Sequence, residues 1–209
     1  MITDVENYLA NNLNVSRETL LQLHVYVDRL TKWNKKINLV SNSTIDEIWS
    51  RHILDSAQLF SESWRHAKSW IDLGSGAGFP GMVVAILAKS QSLPLEVSLI
   101  ESDSRKCEFL RHIARQTNTP IDVQNSRVEE SSLAKADIVS ARALAPLSKL
   151  LEYAHPLLKE NGHCLFLKGS NIDTELDEAA RLWHINYKKI PSVTDSSGVI
   201  LQVSDVRHV

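Results

Sequence analysis

Trp70-Ile71-Asp72-Leu73-Gly74-Ser75-Gly76-Ala77-Gly78-Phe79-Pro80-Gly81 is the stretch that decides how this chain is read. It opens as a short apolar strand, Trp70 to Leu73. It then places four of the chain's 7 glycines within eight positions and runs into a helical pattern from Met82 to Ala88. Glycine admits φ > 0 and lets another molecule approach the main chain with no Cβ in the way. Pro80 stands where a first-turn proline is tolerated. A glycine turn between a strand and a helix N-terminus is how open α/β sheets hold a nucleotide-like ligand.

Two ligands fit the turn at this level. Gly76-Ala77-Gly78-Phe79-Pro80-Gly81 satisfies G-x-G-x-x-G, and Glu101 follows about 20 residues later, as in the dinucleotide fingerprint of a nicotinamide-dependent oxidoreductase. The set starts earlier, however, at Asp72-x-Gly74-x-Gly76-x-Gly78. An acid two residues before the first glycine resembles the first motif of class I methyltransferases, which bind S-adenosylmethionine. The Asp72 carboxylate can accept loop N–H groups and hold the turn closed. It also places negative charge where a pyrophosphate is disfavoured and a sulfonium is favoured.

Outward from this stretch, 209 residues suit one α/β domain with a small appendage. The chain is 43% hydrophobic and 23% charged, ordinary for a soluble globular protein. With 23 Lys plus Arg against 25 Asp plus Glu, the net charge of −2 excludes an indiscriminate nucleic-acid binder. A nucleic-acid substrate requires a local basic face or a preassembled partner. The acidic N-terminus lacks an apolar signal core, and Met82 to Ala88 is too short to span a bilayer. Cys107 and Cys164 lack ligand spacing and read as buried thiols in a reducing compartment. A cytoplasmic protein without a metal is expected.

Residues 1–65 read as helical. Thr3 with Glu6 has the form of a capping box, a second helix starts near Ser16 with Leu20, Leu23, Val27 and Leu30 in register, and Thr44 with Glu47 opens a third, turning Ile45, Ile48, Trp49, Ile53 and Phe60 toward the core. His52 and Asp55 share a face of that helix. From residue 66 to 209, strands alternate with helices. Strands are expected at 69–73, 95–101, 121–125, 136–140 and 163–168, with helices at 80–89, 103–116, 128–133 and 145–159. A helix at 171–181 precedes two β-rich runs, 183–190 and 199–206. The expectation is a Rossmann-like α/β fold, a mostly parallel sheet with an antiparallel closing strand and an N-terminal helical extension.

Ligands of such sheets lie beyond the carboxyl ends of the strands. Glu101 ends the second strand and can accept both hydroxyls of a ribose. Val128 and Glu129 follow the third, where Val128 offers an apolar face to a purine and Glu129 suits a helix N-terminus. Arg142 and Lys168 end the fourth and fifth and make the mouth of the cleft locally positive.

Trp33-Asn34-Lys35, Asn38-Leu39, Arg51-His52-Ile53-Leu54-Asp55-Ser56, the glycine stretch, Arg105-Lys106 with Phe109-Leu110, Ser126 to Glu130, Ser140-Ala141-Arg142-Ala143 and Leu167-Lys168-Gly169 occur in this order. Together they closely resemble the RsmG (GidB) family of bacterial 16S ribosomal RNA guanine-N7 methyltransferases, over about residues 30 to 170. The resemblance implies that S-adenosylmethionine is bordered by Gly74 and Phe79, that Val128 and Glu129 meet its adenine side, and that Arg142 sits at the junction with the substrate. Asp72, Gly76, Gly78 and Glu101 complete the expected donor site, and Arg142 and Lys168 the catalytic cations. The implied partner is 16S rRNA in the small ribosomal subunit or an assembly intermediate, the target is the guanine at position 527, and the protein is expected to be a monomer. Arg51, Arg105, Lys106, Arg111, Arg115 and Arg127 are candidates for the RNA side. The tail, Gln202 to Val209, departs from the basic strand that often ends members of the family. A non-catalytic ribosome-assembly factor is the further alternative.

Overall fold

The computed structural model describes residues 2–61 and 64–209. Residues 1, 62 and 63, which fall within the expected 1–65 helical segment, lie outside the description. Strands β1 (Ser69–Leu73), β2 (Glu96–Glu101), β3 (Asp122–Asn125), β4 (Ala136–Arg142), β5 (Leu158–Lys168), β6 (Trp183–Pro191) and β7 (Val199–His208) form one sheet in the order β3-β2-β1-β4-β5-β7-β6. The first five run parallel, and β7 lies antiparallel to both β5 and β6. The expected closing pair is therefore present.

Strand β1 is central. Trp70, Ile71 and Leu73 are buried, as a parallel strand covered on both faces requires. Helix α4 (Gly81–Ser90) buries every residue from Gly81 to Ala88. A helix apolar all round must be enclosed, and α4 is: it packs on β1 and β2 on one side and on the N-terminal helices on the other. Those helices are α1 (Ile2–Leu13), α2 (Arg17–Asn34) and the short α3 (Asp55–Ala57). They share one apolar core with the sheet. Helix α5 (Ser104–Gln116), capped by Asp103, packs on β3 and α2. Helices α6 (Leu147–Ala154) and α7 (Ile172–Ala179) cover the opposite face with Leu147, Leu150, Leu151 and Leu176.

Several local expectations change. Ser16 caps α2 through the Thr19 N–H as expected, but Thr3 lies inside α1, and Glu6 instead meets His24 of α2 at 2.5 Å. Thr44 opens no α-helix. It closes a 3₁₀ turn capped by Ser41, and residues Trp49–Leu54 form a π-helical stretch leading into α3. The helix expected at 128–133 is a single 3₁₀ turn, Val128–Glu130. The helix expected through residue 159 ends at Ala154, and β5 begins at Leu158 rather than 163. Leu157 and Leu158 are both buried, so the apolar stripe continues across a change of structure that periodicity does not register. Both cysteines are free and buried.

Candidate active site

The glycine bend follows β1. Gly74, Gly76 and Gly78 have φ of 59°, 56° and 101°, in the left-handed region that favours glycine. A Cβ on Gly78 would lie 2.6 Å from the Tyr26 hydroxyl and 2.9 Å from Met82 Cβ, so the bend is packed as well as twisted. It is also tied. Glu101 accepts the Gly76 N–H on Oε2 and the Asp103 N–H on Oε1, each at 2.8 Å. The same carboxylate retains lone pairs for further donors.

Beyond this bend lies a cavity of about 310 Å³, lined in part by Gly74, Gly76, Ile100, Glu101, Val128 and Glu129. The volume suits a small cofactor. Glycine backbone forms one wall, Ile100 and Val128 give apolar faces, and the Glu101 carboxylate supplies acceptors for a diol. Glu129 accepts the Tyr153 hydroxyl at 2.8 Å. These residues fit S-adenosylmethionine, with its cationic sulfur, ribose and purine.

Asp72 does not line the cavity. It is fully buried behind it, where Oδ1 accepts the Ser140 hydroxyl at 2.6 Å, and Ser140 in turn accepts the Trp70 indole N–H at 2.8 Å. Burial raises the Asp72 carboxyl to about 6, and the hydrogen bonds from Ser140 and Ser75 hold it from rising further. Phe79 is also buried and turns towards the N-terminal helices. Tyr26 and His52 stack on it at 5.3 and 5.0 Å, and the Arg142 guanidinium stands 5.0 Å from its ring centre.

A second cleft, of about 500 Å³, opens at the ends of β4 and β5, where Arg51, His52, Asp55, Arg142, Lys168 and Glu175 line it with the loop between β6 and β7. Ala143 lines both cavities, at φ 51°. A non-glycine residue in this region is sparsely populated and clusters at functional sites.

Each cation of the cleft is held by a carboxylate. Arg142 donates to Asp55 Oδ2 at 3.3 Å, to the Arg51 carbonyl at 2.9 Å and to His52 Nδ1 at 2.8 Å. Lys168 meets Glu175 Oε2 at 2.6 Å, and the same oxygen accepts the Leu147 N–H. Burial, then the Arg142 and Arg51 charges, lower His52 to about 4. On the outer wall, Asp55 Oδ1 accepts the Thr194 hydroxyl at 2.8 Å. Gln58 donates to Ser192 Oγ at 3.2 Å and accepts the Val193 N–H at 3.0 Å.

The structure thus gathers Gly74, Gly76, Glu101, Val128 and Glu129 at one cavity and Arg142 and Lys168 at the other. Lys106 lines the first cavity, with Arg105 beside it in an ion pair to Asp103. Arg111 is turned to the Val123 carbonyl. Tyr26 and Glu175 were not singled out by sequence: Tyr26 is hidden in an apolar helix stripe, and Glu175 in the acidic first turn of α7. His52 and Asp55 carried a signal, their shared face.

A glycine bend after β1, an acid at the end of β2 and this strand order define a class I methyltransferase, whose methyl donor is S-adenosylmethionine. A TehB-like S-adenosylmethionine-dependent methyltransferase from Corynebacterium glutamicum has the same fold, with a TM-score of 0.57 at 15% identity over 87% of this chain and 96% of that one. Residues 19–203 match the GidB family, rRNA small subunit methyltransferase G, and the chain belongs to that family. The ribosomal RNA small subunit methyltransferase G of Paramagnetospirillum magneticum is 49% identical over 198 residues, covering 95% of this chain and 94% of the relative. Its counterpart from Gluconobacter oxydans is 50% identical over 195 residues, covering 93% and 98%. The family decides between the two readings of the glycine bend in favour of the methyl donor. No described helix is long and apolar enough to cross a membrane.

Proposed function

We propose that this protein transfers a methyl group from S-adenosylmethionine to N7 of a guanine in the 16S rRNA of the small ribosomal subunit, at position 527. The observation that carries the reading is the meeting of the two cavities at Ala143, one fitted to the donor and the other lined by Arg142 and Lys168. Bound in the first cavity, S-adenosylmethionine supplies an electrophilic methyl on a sulfonium.

Guanine N7 carries an in-plane lone pair and no proton, so attack on that methyl requires no general base. Alignment is the main demand, with reacting atoms about 3 to 3.5 Å apart. Gly74 and Gly76 bring backbone close to the donor, Glu101 accepts its ribose hydroxyls, and Val128 and Glu129 border its purine, while Gly78, Asp72 and Phe79 support the bend from behind. Arg142 and Lys168 orient the substrate through phosphate. An unpaired cation close to a purine that is becoming positive would oppose the reaction. Asp55 and Glu175 offset these two charges at 3.3 and 2.6 Å.

Residues 1–65 act as an extension packed on the donor-binding domain of residues 66–209. The near-neutral charge suits a preassembled particle rather than naked RNA, and the exposed Arg51, Arg105 and Arg127 with the half-buried Lys106 supply cations on the RNA side. The protein works as a cytoplasmic monomer without a metal. Methylation of naked 16S RNA, small subunits and whole ribosomes, with mass spectrometry of the product guanine, tests the proposal. Methyl transfer to the subunit at one N7 is expected, and no transfer to any of the three overturns it. Calorimetry with S-adenosylhomocysteine and with NAD tests the donor directly.

A further inference from the structure

The N-terminal helices reach the donor bend itself. The Tyr26 hydroxyl, midway along α2, donates to the Ala77 carbonyl at 2.5 Å. Tyr26 is fully buried, and burial raises its phenol well above the ordinary value, so it is a permanent donor. Ala77 lies between Gly76 and Gly78, both left-handed, and a peptide flip at that carbonyl would reset ψ of Ala77 and φ of Gly78. The ring of Tyr26 also stacks on Phe79, the next residue of the bend, at 5.3 Å and 26°. The bend is thus gripped from two sides. Glu101 holds the Gly76 N–H from the sheet, and Tyr26 holds the Ala77 carbonyl from a helix that is no part of the α/β unit.

We infer that Tyr26 is a positioning residue of the methyl-donor site, setting the Gly76–Gly78 backbone that receives the donor, and that the N-terminal segment is therefore a working part of that site. The inference rests on the donor reading above. Glycine-rich backbone has the most conformations to lose on ordering, so a fixed carbonyl lowers what the ligand must organise. The stack continues through Phe79 to His52 and Arg142 of the second cleft, whereas the hydrogen bond touches the donor side alone. Its loss acts on donor binding, with the rRNA side left as it is.

Tyr26→Phe removes the hydroxyl and keeps the stack. Thr117→Val is the control, since it deletes a buried hydroxyl of comparable bonding at the far end of α5. Calorimetric affinity for S-adenosylhomocysteine, the Michaelis constant for the small subunit and the melting temperature are measured for both. Tyr26→Phe is expected to weaken S-adenosylhomocysteine about tenfold, the loss of one buried hydrogen bond. It leaves the subunit Michaelis constant within about twofold of wild type, and Thr117→Val leaves donor affinity unchanged. Unaltered affinity in Tyr26→Phe overturns the inference, as does an equal loss in Thr117→Val, which would report general loosening. Wild-type protein that fails to bind S-adenosylhomocysteine overturns the donor reading and this inference with it.

Discussion

The Arg142 guanidinium donates from Nη2 to Nδ1 of His52 at 2.8 Å, and this bond fixes the imidazole as its neutral Nε2–H tautomer. Nε2 then donates to Thr44 Oγ1 at 2.9 Å, and the Thr44 hydroxyl donates to the Ser41 carbonyl at 2.9 Å. A chain of donors runs from the cleft into the N-terminal segment, and every member has one direction to point.

Protonating His52 would break its first link, because Nδ1–H and the guanidinium would both be donors. Its folded value, about 4, lies below the ordinary 6.5, so the unfolded chain takes up the proton first as pH falls. His52 costs nothing above pH 6.5 and progressively destabilises the fold between 6.5 and 4. In His52→Asn the side-chain carbonyl still accepts from Arg142 but does not titrate. The stability of wild type minus this variant, from urea unfolding, is expected to decline over that window. A difference independent of pH would contradict the assignment.

Asp72 behaves oppositely. Its carboxyl is raised from 3.8 to about 6, so the folded state binds the proton more tightly, and stability is lost as pH rises through 6. The cost at pH 8 is on the order of 3 kcal/mol. Asp72→Asn retains an acceptor for the Ser140 hydroxyl without the charge. Wild-type stability relative to this variant is expected to improve as pH falls from 7 to 4, measured by the same unfolding series.

Lys168 and Glu175 form the more enclosed of the cleft's two ion pairs, with side chains 9% and 21% exposed. Removing one partner of such a pair leaves the other charge poorly solvated. Lys168→Ala and Glu175→Ala should each destabilise by about 2 kcal/mol, and the double variant by less than their sum. A double-mutant cycle in urea reads the coupling. Lys168→Ala should also raise the Michaelis constant for the small subunit, while leaving affinity for S-adenosylhomocysteine intact.

Gly78 and Gly74 should differ when each is replaced by Ala. Both have positive φ, which costs about 1 to 2 kcal/mol for an L side chain. At Gly74 the new methyl meets the end of the Leu144 side chain, which is partly exposed and can move. At Gly78 it meets Tyr26 Oη, Met82 Cβ and Leu110 Cδ2 at 2.6 to 3.0 Å inside the core. Gly78→Ala should lower the melting temperature by more than twice as much as Gly74→Ala, at about 2–4 °C per kcal/mol for a chain of this length.

Much of this was legible in the amino-acid order because backbone needs and side-chain patterns agree there. Gly74, Gly76 and Gly78 stand where the chain turns left-handed, and the uniformly apolar Met82 to Ala88 forecasts a helix with no solvent face. Glu101 is legible from its place at the end of β2, although both its oxygens already serve backbone N–H groups. Asp72 was legible as an acid beside the bend but not as a buried group facing away from the cavity, because that depends on Ser140, 68 residues along. The π-helical turn at Trp49–Leu54 was hidden because its apolar spacing also fits an α-helix. Tyr26 was hidden for a related reason: a hydroxyl on a buried stripe announces nothing until its acceptor, 51 residues away, is placed.

The bonds from Asp55 and Gln58 to Ser192, Val193 and Thr194 join the front of the chain to its last hairpin, across a sequence gap of about 135 residues. They act as a latch whose two halves are translated far apart, so the second cleft has no outer wall until the hairpin has been made and has folded back. On the proposed assignment of the two cavities, a protease nick within residues 193–197 is expected to loosen that wall and leave the glycine bend untouched, so that affinity for the small-molecule donor outlasts affinity for the nucleic acid.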